Sequence, residues 1–304
     1  MGFLWNIPVS QAAVPVRSFL RLVTIEHSVF ALPFALISAL AAMQATTGSV
    51  NWTTLLLIIV AMVGARTFAM AANRIIDREI DAANPRTAQR ELVTGAVSMR
   101  TAYVGAIISL VIFLIACSSL NILCLVLAPL AVAPLVIYPY AKRFTDFPHA
   151  VLGLAQMVAP VGAWVGVSGN FHGIWPALWL SAAAGTWIGA FDVIYASQDV
   201  DFDRSESVRS TPAAFGVAKA LIAARIVHVV TVLCLIGFGF STGASVWWWI
   251  GVALTAGAIA YEHSLVSADD LSRVNRAFFT VNGFVGIGLF AFALVNFWAT
   301  GLTI

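Results

Sequence analysis

Charge is what this sequence has least of. Of its 304 residues, 10% are Asp, Glu, Lys or Arg and 61% are hydrophobic, whereas soluble globular chains are about 25% charged. With a mean hydropathy of +0.93, this composition excludes an ordinary soluble protein. It leaves a membrane protein whose main partner is the lipid bilayer, with no nucleic-acid partner expected. Cysteine is nearly absent too. Cys117, Cys124 and Cys234 lie inside apolar runs without CxxC or metal-site spacing, so they read as small core residues rather than disulfides or ligands. Residues 1–13 lack a basic segment before their few apolar residues, so no cleaved signal peptide is expected and the first run is a retained helix.

What is present is a series of apolar runs. About 20 apolar residues cross a bilayer as a helix, which predicts nine spans at 27–46, 52–72, 101–119, 121–140, 149–168, 174–196, 217–240, 245–262 and 276–299. Pro33, Pro129, Pro134 and Pro160 fall inside spans and should kink them. Trp247, Trp248 and Trp249 read as an interfacial belt at a span end.

Basic residues also have a place from which they are missing. The connections around Thr47, Ser118, Asn170 and Ser241 hold no Lys, Arg, Asp or Glu. The alternate connections and the N-terminal stretch carry Arg17, Arg21, Arg74, Arg78, Arg86, Arg90, Arg100, Lys142, Arg143, Arg204, Arg209, Lys219, Arg225, Arg273 and Arg276. The positive-inside rule then puts the N-terminus and the charged connections in the cytoplasm, with the chain multi-pass in the cell (inner or plasma) membrane.

That rule accounts for the arginines and leaves the aspartates unexplained. Asn73, Asp77 and Asp81 are spaced by four, as are Tyr195, Asp199 and Asp203, with Asp192 three residues before Tyr195. Residues four apart share a helix face, so each string is a column of oxygen ligands. Asp77 to Asp199 and Asp81 to Asp203 are both 122 residues apart. A parallel duplication would explain this: two four-helix halves, each with a column after its second helix, plus a ninth helix, all around a central cavity. The expected fold is an all-α membrane protein with a single domain over 1–304.

Hard Mg²⁺ takes carboxylate oxygens together with substrate phosphate oxygens. Two facing Asp columns therefore suit a Mg²⁺-bound diphosphate, with Arg66, Arg86, Arg90, Lys142, Arg143 and Arg209 as candidate phosphate partners. A membrane wall implies that the diphosphate is esterified to something oily. An allylic prenyl diphosphate fits, its carbon attacked by an electron-rich aromatic ring in surroundings that exclude water.

The string Arg66 to Asp81, with Pro85-Arg86-Thr87 after it, resembles the NDxxDxxxD motif of the UbiA superfamily of intramembrane prenyltransferases. The Asp192 to Asp203 string with Arg209-Ser-Thr211-Pro is similar to that family's second aspartate motif. Tyr138-Pro-Tyr140-Ala-Lys142-Arg143 is similar to its segment after the fourth helix. Arg74 departs from the common pattern, which has Asp directly after Asn. Asn73-Arg74, Glu26-His27-Ser-Val-Phe30 and Arg273-x-Asn275-Arg276 look instead like the branch serving the futalosine route to menaquinone, often described as 4-hydroxybenzoate polyprenyltransferase-like.

The resemblance implies that Asn73, Asp77, Asp81, Asp199 and Asp203 coordinate Mg²⁺ on the prenyl diphosphate. It implies that Arg66, Lys142 and Arg143 contact the diphosphate or an acceptor carboxylate, and that Tyr138 and Tyr195 line the cation's path. Arg86 and Arg209 complete the candidate substrate contacts. Asp192 is the candidate for removing the ring proton or orienting the acceptor, an aromatic acid of the 1,4-dihydroxy-6-naphthoate or 4-hydroxybenzoate type. Pairing with an Arg or capping of the backbone is the competing reading of Asp192. His27, His149 and His263 at span ends read as interfacial hydrogen bonders, and His228 as a satisfied core histidine. Glu262 with Asp269 and Asp270 is a candidate lid, equally a solvated loop. The alternative function is transport of a small organic ion, favoured by the duplicated halves. Against it, the carboxylates gather at one face while the far loops are uncharged. CDP-alcohol phosphotransfer is excluded by the absence of a DGxxAR string.

Overall fold

The structure is a computed structural model that describes Phe19, Leu22 and residues 30–303. Arg17, Arg21, Glu26 and His27 lie outside the described residues. The described residues are helical, without a strand beyond one isolated bridge between Ser49 and Thr303. In chain order the helices are α1 (Leu32–Thr46), α2 (Trp52–Ile76), α3 (Arg78–Ala83), α4 (Met99–Leu120), α5 (Ile122–Phe144), α6 (Pro148–Ser168) and α7 (Trp175–Ala196). After a 3₁₀ turn at Ser197–Asp199 follow α8 (Val200–Ser205), α9 (Thr211–Phe215), α10 (Val217–Thr242) and α11 (Val246–Ser264). A π-helical turn, Arg276–Val281, leads into α12 (Asn282–Ala299).

The helices begin where the sequence supplies caps. Asn51, Ser98 and Asn121 sit in extended backbone, and their side chains accept the N–H of Thr54, Thr101 and Cys124, which starts α2, α4 and α5. Gly169 and Gly243 adopt left-handed conformations (φ 67° and 61°) that end α6 and α10.

Among the described residues, seven helical runs are long and apolar enough to cross a membrane: α2, α4, α5, α6, the run from α7 through Ser205, α10, and the run from Arg276 through α12. Seven of the nine expected spans thus meet that measure within the described residues, and the count of nine is not confirmed. The described part of the first span, α1, has 15 residues, about 22 Å at about 1.5 Å per residue. In the eighth, α11, an apolar middle is flanked by Trp247–Trp249 and by Tyr261-Glu262-His263.

The helices pack in a closed order. α2 lies on α4, α4 on α5, α5 on α6, α6 on α7, α7 on α10, α10 on α11 and α11 on α12, while α12 returns to α1 and α1 packs on α6. In the most apolar stretch of the run containing α7, 72% of the residues are buried, against 17% in that of α5, so α7 is the axis and α5 a wall. Ile107, Leu130, Phe240 and Phe284 stand exposed on the outside, as expected where hydrocarbon is the solvent.

The 122-residue offset runs through the whole bundle. α3 and α8 correspond residue for residue, and the ends of α1 and α6, and of α4 and α10, match at the same offset. Asp77 and Asp199 share one backbone conformation (φ −95°, ψ 4° and φ −99°, ψ 8°). Ser38 Oγ donates to Pro160 O at 2.6 Å, a contact between residues themselves 122 apart.

Some expectations are corrected. Pro33 sits in the first turn of α1, where its missing N–H costs nothing, whereas Pro129, Pro134, Pro139 and Pro160 are interior. Trp248 is fully buried and donates to Leu235 O, because α11 turns it into the core, while Trp247 is exposed. Glu262 is no lid. It is fully buried and accepts from Asn282 Nδ2 at 2.8 Å. His228 is a satisfied core histidine, bonded to His263 and to Trp187 O. The three cysteines are free and buried.

Candidate active site

Both aspartate strings fold into one polar cavity of about 200 Å³ at the charged end of the bundle. Asn73, Asp77, Asp81, Arg86, Tyr138, Lys142, Asp192, Tyr195, Asp199, Asp203 and Arg209 line it. Arg143 reaches it through Asp77. Arg66 does not line it. That residue stands two turns deeper on α2, at the wall of a second, apolar cavity of about 420 Å³. The two spaces share walls: α2 gives Arg66 and Ala69 to the apolar one and Asn73 to the polar one, and α5 gives Leu135 and Tyr138 respectively.

Neither string is one straight helix. Asp77 closes α2 and opens α3, and Asp199 separates α7 from α8. Each break sets the second aspartate of its string, Asp81 or Asp203, on a short helix that faces the same cavity as the first.

Removing a carboxylate from water costs several kcal/mol unless it is paired, and the aspartates are paired. Asp77, 1% exposed, meets Lys142 Nζ at 2.7 Å and Arg143 Nη1 at 3.2 Å, and accepts from Asn73 Nδ2 at 3.2 Å. Arg143 also donates to Ile76 O and Pro139 O, which tie α5 to the break after α2. Asp81 accepts from Arg90, and Thr87 Oγ1 donates to the Asp81 carbonyl. Asp203 accepts from Ser210 Oγ at 2.6 Å.

Arg86 joins the first charged loop to the second aspartate string. Arg86 grips Asp199 in a fork, Nε to Oδ1 at 2.8 Å and Nη2 to Oδ2 at 2.6 Å, and donates from Nη1 to Tyr195 Oη at 3.2 Å. Asn84 holds both partners, donating to Asp199 and accepting the Arg86 N–H. Burial alone would lower the Arg86 pKa, but the hydrogen bonds and charge of Asp199 outweigh it and raise it above the ordinary guanidinium value. Arg86 stays charged at any relevant pH. Arg209 donates its N–H to Lys142 O and its side chain to Phe144 O, bridging the second charged loop to the end of α5.

From the sequence His149 read only as an interfacial hydrogen bonder at a span end. Its Nδ1 lies 2.7 Å from Asp192 Oδ2, so Asp192 pairs with an imidazole instead of the Arg or backbone cap considered for it. No spacing in the sequence links the two residues, and only the crossing of α6 and α7 brings them into contact. Asn84, Thr87 and Ser210 were also unassigned, although Thr87 and Ser210 lie within the strings Pro85-Arg86-Thr87 and Arg209-Ser-Thr211-Pro.

Among the described residues no three His, Cys, Asp or Glu side chains already converge as a metal cage. The donors are all hard oxygens, and Mg²⁺ needs only one or two protein carboxylates when phosphate and water supply the rest. The residues fit such an ion once a phosphate ligand is present. The five acidic side chains, Asp77, Asp81, Asp192, Asp199 and Asp203, face five basic ones, Arg86, Arg90, Lys142, Arg143 and Arg209. The formal sum is zero, so a polyanionic ligand would call for added cations.

The profile of the UbiA prenyltransferase family matches residues 31–284. Among curated proteins, the chain is 27% identical to the 4-hydroxybenzoate octaprenyltransferase of Vibrio cholerae over 288 residues, 94% of this chain and 99% of that protein. It is 29% identical to the enzyme of the same name from Vibrio parahaemolyticus over 297 residues, 94% of this chain and all of that protein. Among solved structures, the apo UbiA homologue from Aeropyrum pernix K1 is 34% identical, with a TM-score of 0.81, covering 89% of this chain and 98% of that one. The Archaeoglobus fulgidus homologue bound to DMAPP and Mg²⁺ shares the fold at 19% identity, with a TM-score of 0.71 over 92% of this chain and 99% of that one. This chain belongs to the UbiA prenyltransferase family and is a transferase. The transporter alternative is set aside.

Proposed function

From that membership as premise, we propose that the chain transfers a polyprenyl group from an allylic prenyl diphosphate to an aromatic acid, in the making of a quinone. The observation that carries this reading is that two cavities of opposite character draw their walls from the same helices, α2 and α5. A site for a charged head, rich in aspartate and arginine, adjoins an apolar chamber of about 420 Å³ walled by Ile58, Met62, Phe113, Leu127 and several alanines. An oily diphosphate has both parts.

Asn73, Asp77, Asp81, Asp199 and Asp203 would hold Mg²⁺, which when bound draws electron density to the diphosphate and makes it a leaving group. Lys142, Arg143 and Arg90 stand beside Asp77 and Asp81, positioned to take the phosphate oxygens as these carboxylates turn to the metal. Arg86 and Arg209, on the two charged loops, close over them. Tyr138 and Tyr195 line the path of the allylic cation, which aromatic rings attract, and the Arg86 guanidinium already stands 5.2 Å from the Tyr195 ring centroid. Tyr195 is held for this by Phe278, whose ring centroid lies 4.1 Å away.

Arg66 Nε is buried and has no hydrogen-bond partner. A buried guanidinium N–H without an acceptor is costly, and the carboxylate of an aromatic acid at the cavity junction would satisfy it. Asp192 then takes the ring proton. The Asn73-Arg74 pair favours a 1,4-dihydroxy-6-naphthoate type of acceptor over 4-hydroxybenzoate, and the charged end of the bundle faces the cytoplasm.

Purified protein in detergent, supplied with Mg²⁺, a labelled prenyl diphosphate and either acid, should release diphosphate and form a lipophilic product whose mass identifies the acceptor. Failure to prenylate any acid in a panel, while the donor still binds, would overturn the reading.

A further inference from the structure

The carboxylates of the cavity do not all have the same kind of partner. Asp77, Asp81 and Asp199 are gripped by lysine or arginine, and Asp203 by a serine hydroxyl. Asp192 faces the imidazole of His149. His149 Nδ1 lies 2.7 Å from Asp192 Oδ2, and in its Nδ1–H tautomer the ring donates to the carboxylate. The imidazole is the more enclosed member of the pair, its side chain 7% exposed against 20% for Asp192. Both side chains line the cavity, the carboxylate being the more exposed of the two.

This placement is built into the helix crossing. α6 and α7 meet through glycines: a Cβ on Gly153 would lie 2.5 Å from Gly185 O, one on Gly185 2.7 Å from Gly153 O, and one on Gly189 3.0 Å from His149 O. No Cβ fits at the first two positions without moving backbone, and so the helices approach closely enough for the first turn of α6 to reach across to Asp192. The first half has no such pair. The residue 122 before Asp192 is Met70.

We propose that His149 is a positioning residue, which holds the Asp192 carboxylate at the cavity wall to receive the proton that leaves the acceptor. The inference rests on the transfer reaction proposed above. In that step the C–O bond of the allylic diphosphate breaks and its electron pair leaves with the diphosphate. A ring π pair forms the new C–C bond, and the C–H proton at that ring carbon passes to Asp192, restoring the aromatic ring. Without His149, Asp192 would be free to swing toward Lys142 or Arg90, which line the same cavity, and a carboxylate committed to a cation is no longer placed to take a proton.

The test is a set of variants assayed for prenyl transfer with the full chain in detergent. H149A should lower kcat about 10- to 100-fold, the range typical of lost orienting partners, with the donor KM within about twofold of wild type. H149N places an amide N–H where Nδ1 was and should recover most of the rate. H149Q matches Nε2 instead and should not. If His149 acts through Asp192, the double variant H149A/D192N should be no slower than D192N. Wild-type kcat in H149A, equal rates in H149N and H149Q, or a double variant slower than D192N by the full H149A factor would each overturn the proposal. Mg²⁺-dependent binding of a non-hydrolysable prenyl diphosphate analogue reports whether each variant is folded. Should H149A fail that check, the comparison of H149N with H149Q decides. Absence of turnover by the wild-type chain would sink the transfer reading together with this one, whereas turnover by wild type and H149A alike would sink this one only.

Discussion

The two halves of the bundle keep the same backbone and the same aspartates but differ in almost everything around them. In the first half Asp77 is held by Lys142 and Arg143, and Asp81 by Arg90. In the second half Asp199 is held by Arg86, which the first half lends across the cavity, and Asp203 by a serine. The positions 122 residues after Arg86, Arg90, Lys142 and Arg143 are Val208, Pro212, Ser264 and Leu265. The second half in turn has His149 and Asp192, where the first has Met70 in place of the carboxylate. The halves share the aspartates that the proposed reading gives to metal and diphosphate. They differ in the residues around them, most of the proposed anion contacts lying in the first half and the proposed proton acceptor in the second.

This division can be tested by paired substitutions. The largest loss is expected where the halves agree: D77N and D199N should each reduce transfer about 10³-fold, the scale of a lost charge partner at a reacting centre, with expression and membrane insertion intact. Product formation across a Mg²⁺ titration is the measurement, and a difference of more than about tenfold between the two variants would show that the halves hold the metal unequally. Where the halves differ, K142A should cost about 10²-fold, mostly in donor KM, while S264A at the matching position changes the rate less than about twofold. Equal losses at both positions would break the asymmetry. The smallest of the site effects is expected for R86K, about tenfold, because a lysine keeps the charge but cannot make the fork on Asp199. A crosslink or distance probe between the two charged loops should then report a looser join.

Much of this was legible in the chain because it is local. A four-residue spacing defines a helix face wherever the helix lies, apolar runs of about 20 residues are spans in any bundle, and the equal offset between strings needs no coordinates to be seen. Contacts set by helix crossing were not legible. Trp248 read as an interfacial residue and is in the core; Glu262 read as a lid and is a buried partner of Asn282. Arg86 could be marked as a phosphate partner from its surroundings in the sequence, but nothing in the string says that it crosses to Asp199. The breaks at Asp77 and Asp199 were hidden as well, since a helix interrupted for one residue keeps nearly the same periodicity.

The amino-acid string alone determined that this is a membrane-embedded helical protein with twin aspartate strings at its charged end, because hydropathy and short-range spacing act on neighbours along the chain. Only the tertiary structure decided which cation holds which aspartate, that Arg66 stands at the wall of an apolar chamber, and that His149 meets Asp192. Those relations depend on the angle and closeness at which distant helices cross. Between α6 and α7 that closeness rests on Gly153, Gly185 and Gly189, whose missing side chains no motif records.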